Sequence, residues 1–295
     1  MEKVTSDFHW ESVRRVVERG GGVAFTGAGI SVESGIPPFR GAGGLWNRYD
    51  PKILDIDFFK THPKEAWEGI LELFYLKFRG VKPNFAHRCL AELEKRGKIE
   101  GVITQNIDNL HQLAGSKKVV EFHGTASRLQ CLRCGEKYSL FWSQEEKIFW
   151  FQNSPSDENL PNFSHLTREK FQKEKESRNR QFKLEQLPPK CPQCGGILKP
   201  DFVFFGEPIP ENSFSQALQW ILHASFLLII GTSGEVFPAS QLPFLAKEKG
   251  ATIIEINPNP SAYTSTITDF FIPLPATEGC KKLSPPTTSP EFDSI

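Results

Sequence analysis

The chain has no excess of either charge: among its 295 residues, 35 lysines and arginines balance 35 aspartates and glutamates. That balance removes any global drive toward nucleic acid or an anionic membrane, so no strong nucleic-acid partner is expected. No apolar run approaches the roughly 20 residues of a membrane helix. The opening stretch Met1 to Asp7 is polar and lacks the apolar centre of a secretory leader. No membrane association and a cytoplasmic location are therefore expected. Cysteine is scarce, six in all, and without an export signal a disulfide framework is not expected. There is no internal repeat. Hydrophobic residues at 39% and charged residues at 24% are ordinary for a globular chain, which is long enough for one large α/β domain or two modest ones. A monomer is expected.

Short apolar runs alternate with helical periodicity. Residues 8–20 read as a helix, and Gly20-Gly21-Gly22 ends it. Val23 to Thr26, Val102 to Thr104, Val119 to Phe122, Phe226 to Ile230 and Ala251 to Ile256 read as strands; residues 63–79 and 84–97 read as helices. A helix is expected from about Ile30 to Ser34, stopped by Pro37-Pro38, and residues 39–50 read as a mobile glycine-rich loop. Residues 144–188 change character, with the charge run Lys173 to Arg180, and read as a partly helical or mobile insertion. The tail 284–295, rich in Pro, Ser and Thr, reads as disordered. The alternation predicts an α/β fold with a Rossmann-type, doubly wound parallel sheet built from 8–125 and 200–283, interrupted by a helical insertion around 40–98. A smaller inserted zinc-ribbon or helical module is predicted over 126–199.

Ligands in such sheets bind beyond the carboxyl ends of the strands. The polar candidates fall there: Gly27-Ala28-Gly29 after the first strand, Gln105 to Asp108 after the second, His123 after the third, Gly231-Thr232-Ser233 after the fourth and Asn257 after the fifth. Gly27-Ala28-Gly29 is not a full GxGxxG, and a tight turn needs glycines whether or not anything binds. A second small-residue turn and an Asn where a ribose contact belongs raise it to a nucleotide cradle. Gln105, Asn106, Asp108 and Asn109 could form an Asx turn or cap the helix starting near Leu110. Four amide or acid groups exceed that need, and Asp108 with the backbone at Ile107 could match a carboxamide. A lone histidine is more often structural than a base. His123 ends a strand before Gly124, a setting suited to base work near neutral pH. His87 and His111 lack that setting and read as structural.

Cys131-x-x-Cys134 and Cys191-x-x-Cys194, each followed by glycine, form a zinc signature. Four thiolates fill a tetrahedral site and leave no position for a catalytic water, so one structural zinc is expected; a redox dithiol is the competing reading. Cys89 lies in a helical apolar pattern and reads as core. Cys280 has no obvious partner.

Taken in order, Gly27 to Ser31, Gly35-Ile36-Pro37-x-Phe39-Arg40, Thr104 to Asp108, His123-Gly124, the four cysteines, Phe205-Gly206-Glu207, Gly231-Thr232-Ser233 and Ile256-Asn257 resemble the sirtuin (Sir2) family of NAD-dependent protein lysine deacylases, over residues 10 to 283. The resemblance implies NAD as co-substrate and acyl-lysine proteins or peptides as partners, giving nicotinamide, acyl-ADP-ribose and free lysine. It implies that His123 is the general base acting on the ribose hydroxyls and that Asn106 is catalytic. It assigns the nicotinamide pocket to Ser31, Ile36, Asn106 and Asp108, with Phe39 and Arg40 in the loop that shields the reactive carbon from water. Gly231, Thr232, Ser233, Asn257 and Ala276 would hold the adenosine half. The peptide would add as a strand between Val203-Phe204-Phe205-Gly206-Glu207 and the segment from Ser233 to Val236.

The loop from Phe39 to Trp46 resembles that of the branch removing succinyl, malonyl or glutaryl groups, which carries a Tyr-x-x-Arg pair. Here Tyr75 aligns but Phe78 stands where the arginine belongs; Lys77 and Arg79 flank it, and Arg79, one turn after Tyr75, could substitute. Removal of acetyl or another uncharged acyl group is therefore the expected activity, and acidic-acyl removal the competing one. Mono-ADP-ribosyl transfer to protein and a non-catalytic NAD or acyl-lysine binding module are the other readings. A nicotinamide oxidoreductase is disfavoured, since it would need its own substrate site.

Overall fold

The computed structural model describes residues 7–39, 43–76, 80–143, 148–153, 180–183 and 186–283. Arg40, Arg79 and the tail 284–295 lie outside the described residues, as does the charge run up to Asn179.

The most apolar runs form the centre of a six-stranded parallel sheet. Its strands are β1 (Gly22–Thr26), β2 (Ile99–Thr104), β3 (Val119–Glu121), β9 (Phe226–Ile230), β10 (Thr252–Ile256) and β11 (Phe270–Ile272), in the order β11-β10-β9-β1-β2-β3. Every residue of β1 and β9 is buried, which explains their unbroken apolar character: both faces are covered. One face packs against the helices Asp7–Arg19, Phe85–Lys95 and Ala276–Leu283. The other packs against Glu211–His223 and Leu242–Glu248. From β1 the order runs to β2 on one side and to β9 on the other, in register Thr26↔Thr104 and Thr26↔Ile230. The order reverses at β1, and that is where a doubly wound sheet opens a crevice.

The second sheet is antiparallel, with β4 (Gly124–Cys131), β5 (Lys137–Ser143), β6 (Ile148–Asn153), β7 (Arg180–Lys183) and β8 (Leu198–Phe202) in the order β7-β6-β5-β4-β8. It shares a core with the helices Ile56–Thr61 and Pro63–Ile70 through Phe59, Trp67, Leu198 and Phe204. Trp67 Nε1 donates to the Leu198 carbonyl at 2.8 Å.

The structure refines several expectations. The helix expected near Ile30 to Ser34 is a 3-10 helix, Ala28–Ser34, ended by Gly35 at φ 98°. In the described part of the insertion 144–188, the strands β6 and β7 extend the small sheet, as the β-favouring run Ile148-Phe149-Trp150-Phe151 permits; these strands were not expected. β11, too short for a period-2 signal, was not expected. The pattern over 63–79 becomes an α-helix to Ile70 and then a π-helical stretch Leu71–Leu76. Finally, Cys280 has a neighbour: Cys89 Sγ lies 3.7 Å from its carbonyl oxygen, both residues buried where their helices pack.

Candidate functional site

A cleft of about 820 Å³ runs along the carboxyl ends of the parallel strands. Gly27, Ala28 and Gly29 line it from β1, Gln105, Asn106 and Ile107 from β2, and His123 from β3. Gly231, Thr232 and Ser233 line it from β9, Asn257 from β10, and Ala276 from the last helix. Val203 to Glu207, which follow β8 of the small sheet, border it, as do Val236, beyond β9, and Phe39. A chamber of about 70 Å³ opens from its inner end, lined by Ser31, Ile36 and Asp108 and sharing Ala28, Phe39, Asn106 and Ile107 with the cleft.

Two turns form the floor. The Gly29 N–H donates to the Gly231 carbonyl at 2.8 Å. A Cβ on Gly29 would lie 2.6 Å from the Gly231 Cα, so close approach of the two turns by itself demands glycine here. Thr232 ties the strand ends together. Its hydroxyl accepts from Gln105 Nε2 at 3.1 Å, and its carbonyl accepts from Asn257 Nδ2 at 3.1 Å.

The chamber is polar at its base. Ser31, fully buried, donates its hydroxyl to Asp108 Oδ2 at 2.7 Å. Asn106 Nδ2 donates to the Gly27 carbonyl at 3.1 Å and to Ser31 Oγ at 3.2 Å. Asp108 Oδ1 accepts from the Leu110 N–H at 3.0 Å. Asp108 therefore caps the short helix Leu110–Leu113 while presenting its other oxygen to Ser31, and Asn109 at φ 61° makes no side-chain cap. Burial pushes the Asp108 carboxyl above its ordinary range, and the Leu110 and Ser31 hydrogen bonds oppose that. His87 and His111 sit behind this base, fully buried. His111 Nε2 is 2.9 Å from Thr26 Oγ1, and His87 Nε2 is 3.4 Å from Ser31 Oγ. Both are structural supports rather than cleft residues.

His123 reaches the cleft because β3 ends at Glu121 and the Val203 N–H holds the His123 carbonyl at 2.9 Å. Its Nδ1 lies 3.1 Å from the Gln105 carbonyl. A carbonyl only accepts, so Nδ1 carries the hydrogen and Nε2 keeps a lone pair. Burial lowers the His123 pKa from 6.5, more than the Gln105 bond raises it, so the ring is neutral near pH 7.

Tyr75 lines neither cavity. Its hydroxyl donates to the Ala126 carbonyl at 2.7 Å and its ring stacks on Trp67. The charged residues on the described cleft wall are Glu33, Glu207 and Glu235, with no lysine or arginine among them. Trp46, Leu54, Phe74 and Phe202 complete an apolar wall near Phe39 that sequence reading had not placed there. They lie in two short 3-10 helices, the π-helical stretch and the end of β8, where the local pattern signals only burial. Phe237, 76% exposed, stands at the rim.

The four cysteine sulfurs lie within 4.8 Å of one another. Cys131 Sγ and Cys194 Sγ are 3.5 Å apart, Cys134 Sγ and Cys191 Sγ 3.7 Å. Tetrahedral zinc with sulfurs at about 2.3 Å requires edges of about 3.8 Å, so this donor set fits the ion. Gly135 and Gly195, both at positive φ, close the two matching turns with N–H bonds to the Cys131 and Cys191 carbonyls at 3.0 and 2.8 Å. The cluster is separate from the cleft lining.

The profile of the Sir2 family matches residues 27–238. The NAD-dependent protein deacylase of Aeropyrum pernix is 41% identical over 276 residues, 93% of this chain and 96% of its own length. The NAD-dependent protein deacetylase of Caldivirga maquilingensis is 42% identical over 241 residues, 82% of this chain and 79% of its own. Among solved structures, a Sir2 homologue in complex with NAD aligns with a TM-score of 0.73 at 32% identity, covering 92% of this chain and 91% of that one. Sir2 with a p53 peptide and NAD+ aligns with a TM-score of 0.71 at 32% identity, covering 92% and 96%.

Proposed function

The chain belongs to the Sir2 family, and from that premise we propose that it is an NAD-dependent protein-lysine deacylase acting on uncharged acyl groups, with His123 as its base. The single observation that carries this is the convergence of His123, Asn106 and the Ser31–Asp108 pair around one cleft and its inner chamber at the switch point of the sheet. NAD supplies a ribose carbon that accepts the acyl oxygen as nicotinamide departs.

The residues of the chain divide the remaining work. Gly27 to Gly29, Thr232, Ser233, Asn257 and Ala276 bind the dinucleotide along the floor. Ser31, Ile36, Asn106 and Asp108 hold the nicotinamide ring in the chamber, where the fixed hydroxyl and carboxyl orient its carboxamide. Phe39, shared by both cavities, excludes water from the reacting carbon. Arg40 follows it in the sequence. His123 accepts a ribose hydroxyl proton at Nε2, its ring held by the Gln105 carbonyl.

The acyl-lysine peptide lies between Val203–Glu207 and Ser233–Val236 as an added strand. The preference for uncharged acyl groups is supported by the apolar wall of Trp46, Leu54, Phe74 and Phe202, by the absence of a cation on the described cleft wall, and by the engagement of the Tyr75 hydroxyl with Ala126. Four thiolates around zinc leave that ion a structural role.

The test is mass spectrometry of matched acetyl-lysine and succinyl-lysine peptides, with and without NAD, beside His123→Ala. NAD-dependent loss of acetyl, abolished in the variant, is expected. Preferential loss of succinyl would overturn the acyl assignment, and ADP-ribose attached to protein would replace deacylation by transfer. Among the described residues no helix is long and apolar enough to cross a membrane.

A further inference from the structure

The strand β8 leaves the cysteine cluster and enters the cleft border, and Lys199 lies on it at the register of Gln130. Its side chain is only 4% exposed. Nζ donates to the Phe202 carbonyl at 2.7 Å, to the Pro200 carbonyl at 3.0 Å and to Glu207 Oε2 at 2.9 Å. The three ammonium hydrogens thus have three acceptors, and the charge stands 4.2 Å from the centre of the Phe204 ring. Glu207 Oε2 accepts a second bond, from the Phe204 N–H at 2.9 Å, while the Glu207 N–H donates to the Phe204 carbonyl at 3.0 Å. One ammonium and one carboxylate therefore close a ring around residues 202–207.

That ring holds Phe204 in the core and leaves Phe205 45% exposed toward the cleft. The segment is otherwise held by the Val203 N–H on the His123 carbonyl and by paired bonds of Phe205 with Leu54 and Ile56. A buried ion pair contributes little net stability, since desolvation offsets its attraction, but losing one partner strands the other charge. Its consequence here is geometric.

We propose that Lys199 is a positioning residue for the acyl-lysine peptide, its buried ammonium locking Glu207 and thereby setting the backbone of residues 203–207 on which the peptide lies. The inference rests on the deacylase reading of the cleft. Lys199→Met would leave Glu207 without its cation and two carbonyls without a donor. Glu207→Gln would remove the charge from the other side with little change of shape. The dinucleotide floor, formed by the turns after β1 and β9, contains neither residue.

The experiment is calorimetric titration of an acetyl-lysine peptide into the ADP-ribose-loaded protein, and of ADP-ribose into the free protein, for the parent, Lys199→Met and Glu207→Gln. The peptide Kd is expected to rise about tenfold or more in each variant while the ADP-ribose Kd stays within about twofold. An unchanged peptide Kd, or equal loss of both ligands, overturns the inference. Should Lys199→Met fail to fold, Lys199→Gln takes its place, since Glu207 itself borders the peptide strand. Peptide turnover by the parent with normal binding by the variants overturns the inference and leaves the deacylase reading standing. A parent that neither binds nor turns over the peptide overturns both.

Discussion

His123 and Gln105 are joined by a 3.1 Å hydrogen bond from the imidazole Nδ1–H to a main-chain carbonyl. The bond joins the residue that follows β2 to one that follows β3, so the tautomer of the base is set by the sheet itself. A neutral ring with Nε2 unprotonated is what a general base needs.

Turnover should therefore fall on acidification as His123 takes up a proton. Burial lowers its pKa, so the acid limb of kcat/KM is expected below the ordinary histidine value of 6.5 and should disappear with activity in His123→Ala. A limb centred above 6.5 in the parent would contradict this assignment.

Tyr75→Phe separates a structural tyrosine from an acyl-reading one. The change leaves the Ala126 carbonyl without the hydroxyl now 2.7 Å away, at a cost of about 1–3 kcal/mol of stability. The ratio of acetyl to succinyl turnover should not move. Denaturant unfolding and competition between the two peptides would measure both effects, and a shifted ratio would return Tyr75 to the acyl site.

Chelation should release one zinc per chain and unfold the small sheet, because the ion joins the turn after β4 to the turn before β8. Zinc binding of this kind supplies on the order of 10–16 kcal/mol. Activity should decline in step with the folded fraction, and Cys191→Ser should reproduce the loss. Full activity in a folded, zinc-free protein would remove the structural role.

Stability in acid should carry the mark of His111. Burial holds its folded pKa at about 3 against 6.5 when exposed. An unfolded chain therefore binds the proton first, and stability is lost as pH falls from 6.5 toward 3. Asp108 and Glu121, whose pKa values desolvation raises, act in the opposite sense above the ordinary carboxylate range, so a single melting curve gives only the net. Compared with His111→Asn, the parent's advantage in unfolding free energy should shrink by about 2 kcal/mol between pH 7 and pH 5. A gap independent of pH would mean that His111 titrates normally.

The residues of the cleft floor were legible because each follows a buried strand. Gly27, Gln105, His123, Gly231 and Asn257 sit at strand ends, and parallel strands bring their carboxyl ends to one edge. The zinc cysteines were legible because both halves are local. The 3-10 form of the helix after Gly27 was not, since seven residues from Ala28 to Ser34 fit either helix type. Nor was the buried state of Lys199. A lysine between Leu198 and Pro200 carries no local signal of burial, and only the fold supplies Glu207 and two carbonyls to its ammonium.

Alternating apolar runs and helical periods, the two CxxC pairs and the polar strand ends determined by themselves an α/β chain with a nucleotide edge and a closed metal site, because each is a pattern of neighbours in the chain. Tertiary structure alone decided which way Asp108 faces, what the Tyr75 hydroxyl meets, that Phe74 and Trp46 wall the cleft, and that Cys89 lies against Cys280. Those facts depend on partners far away in the chain, and burial gives such contacts their energy only once the two sheets have closed around them.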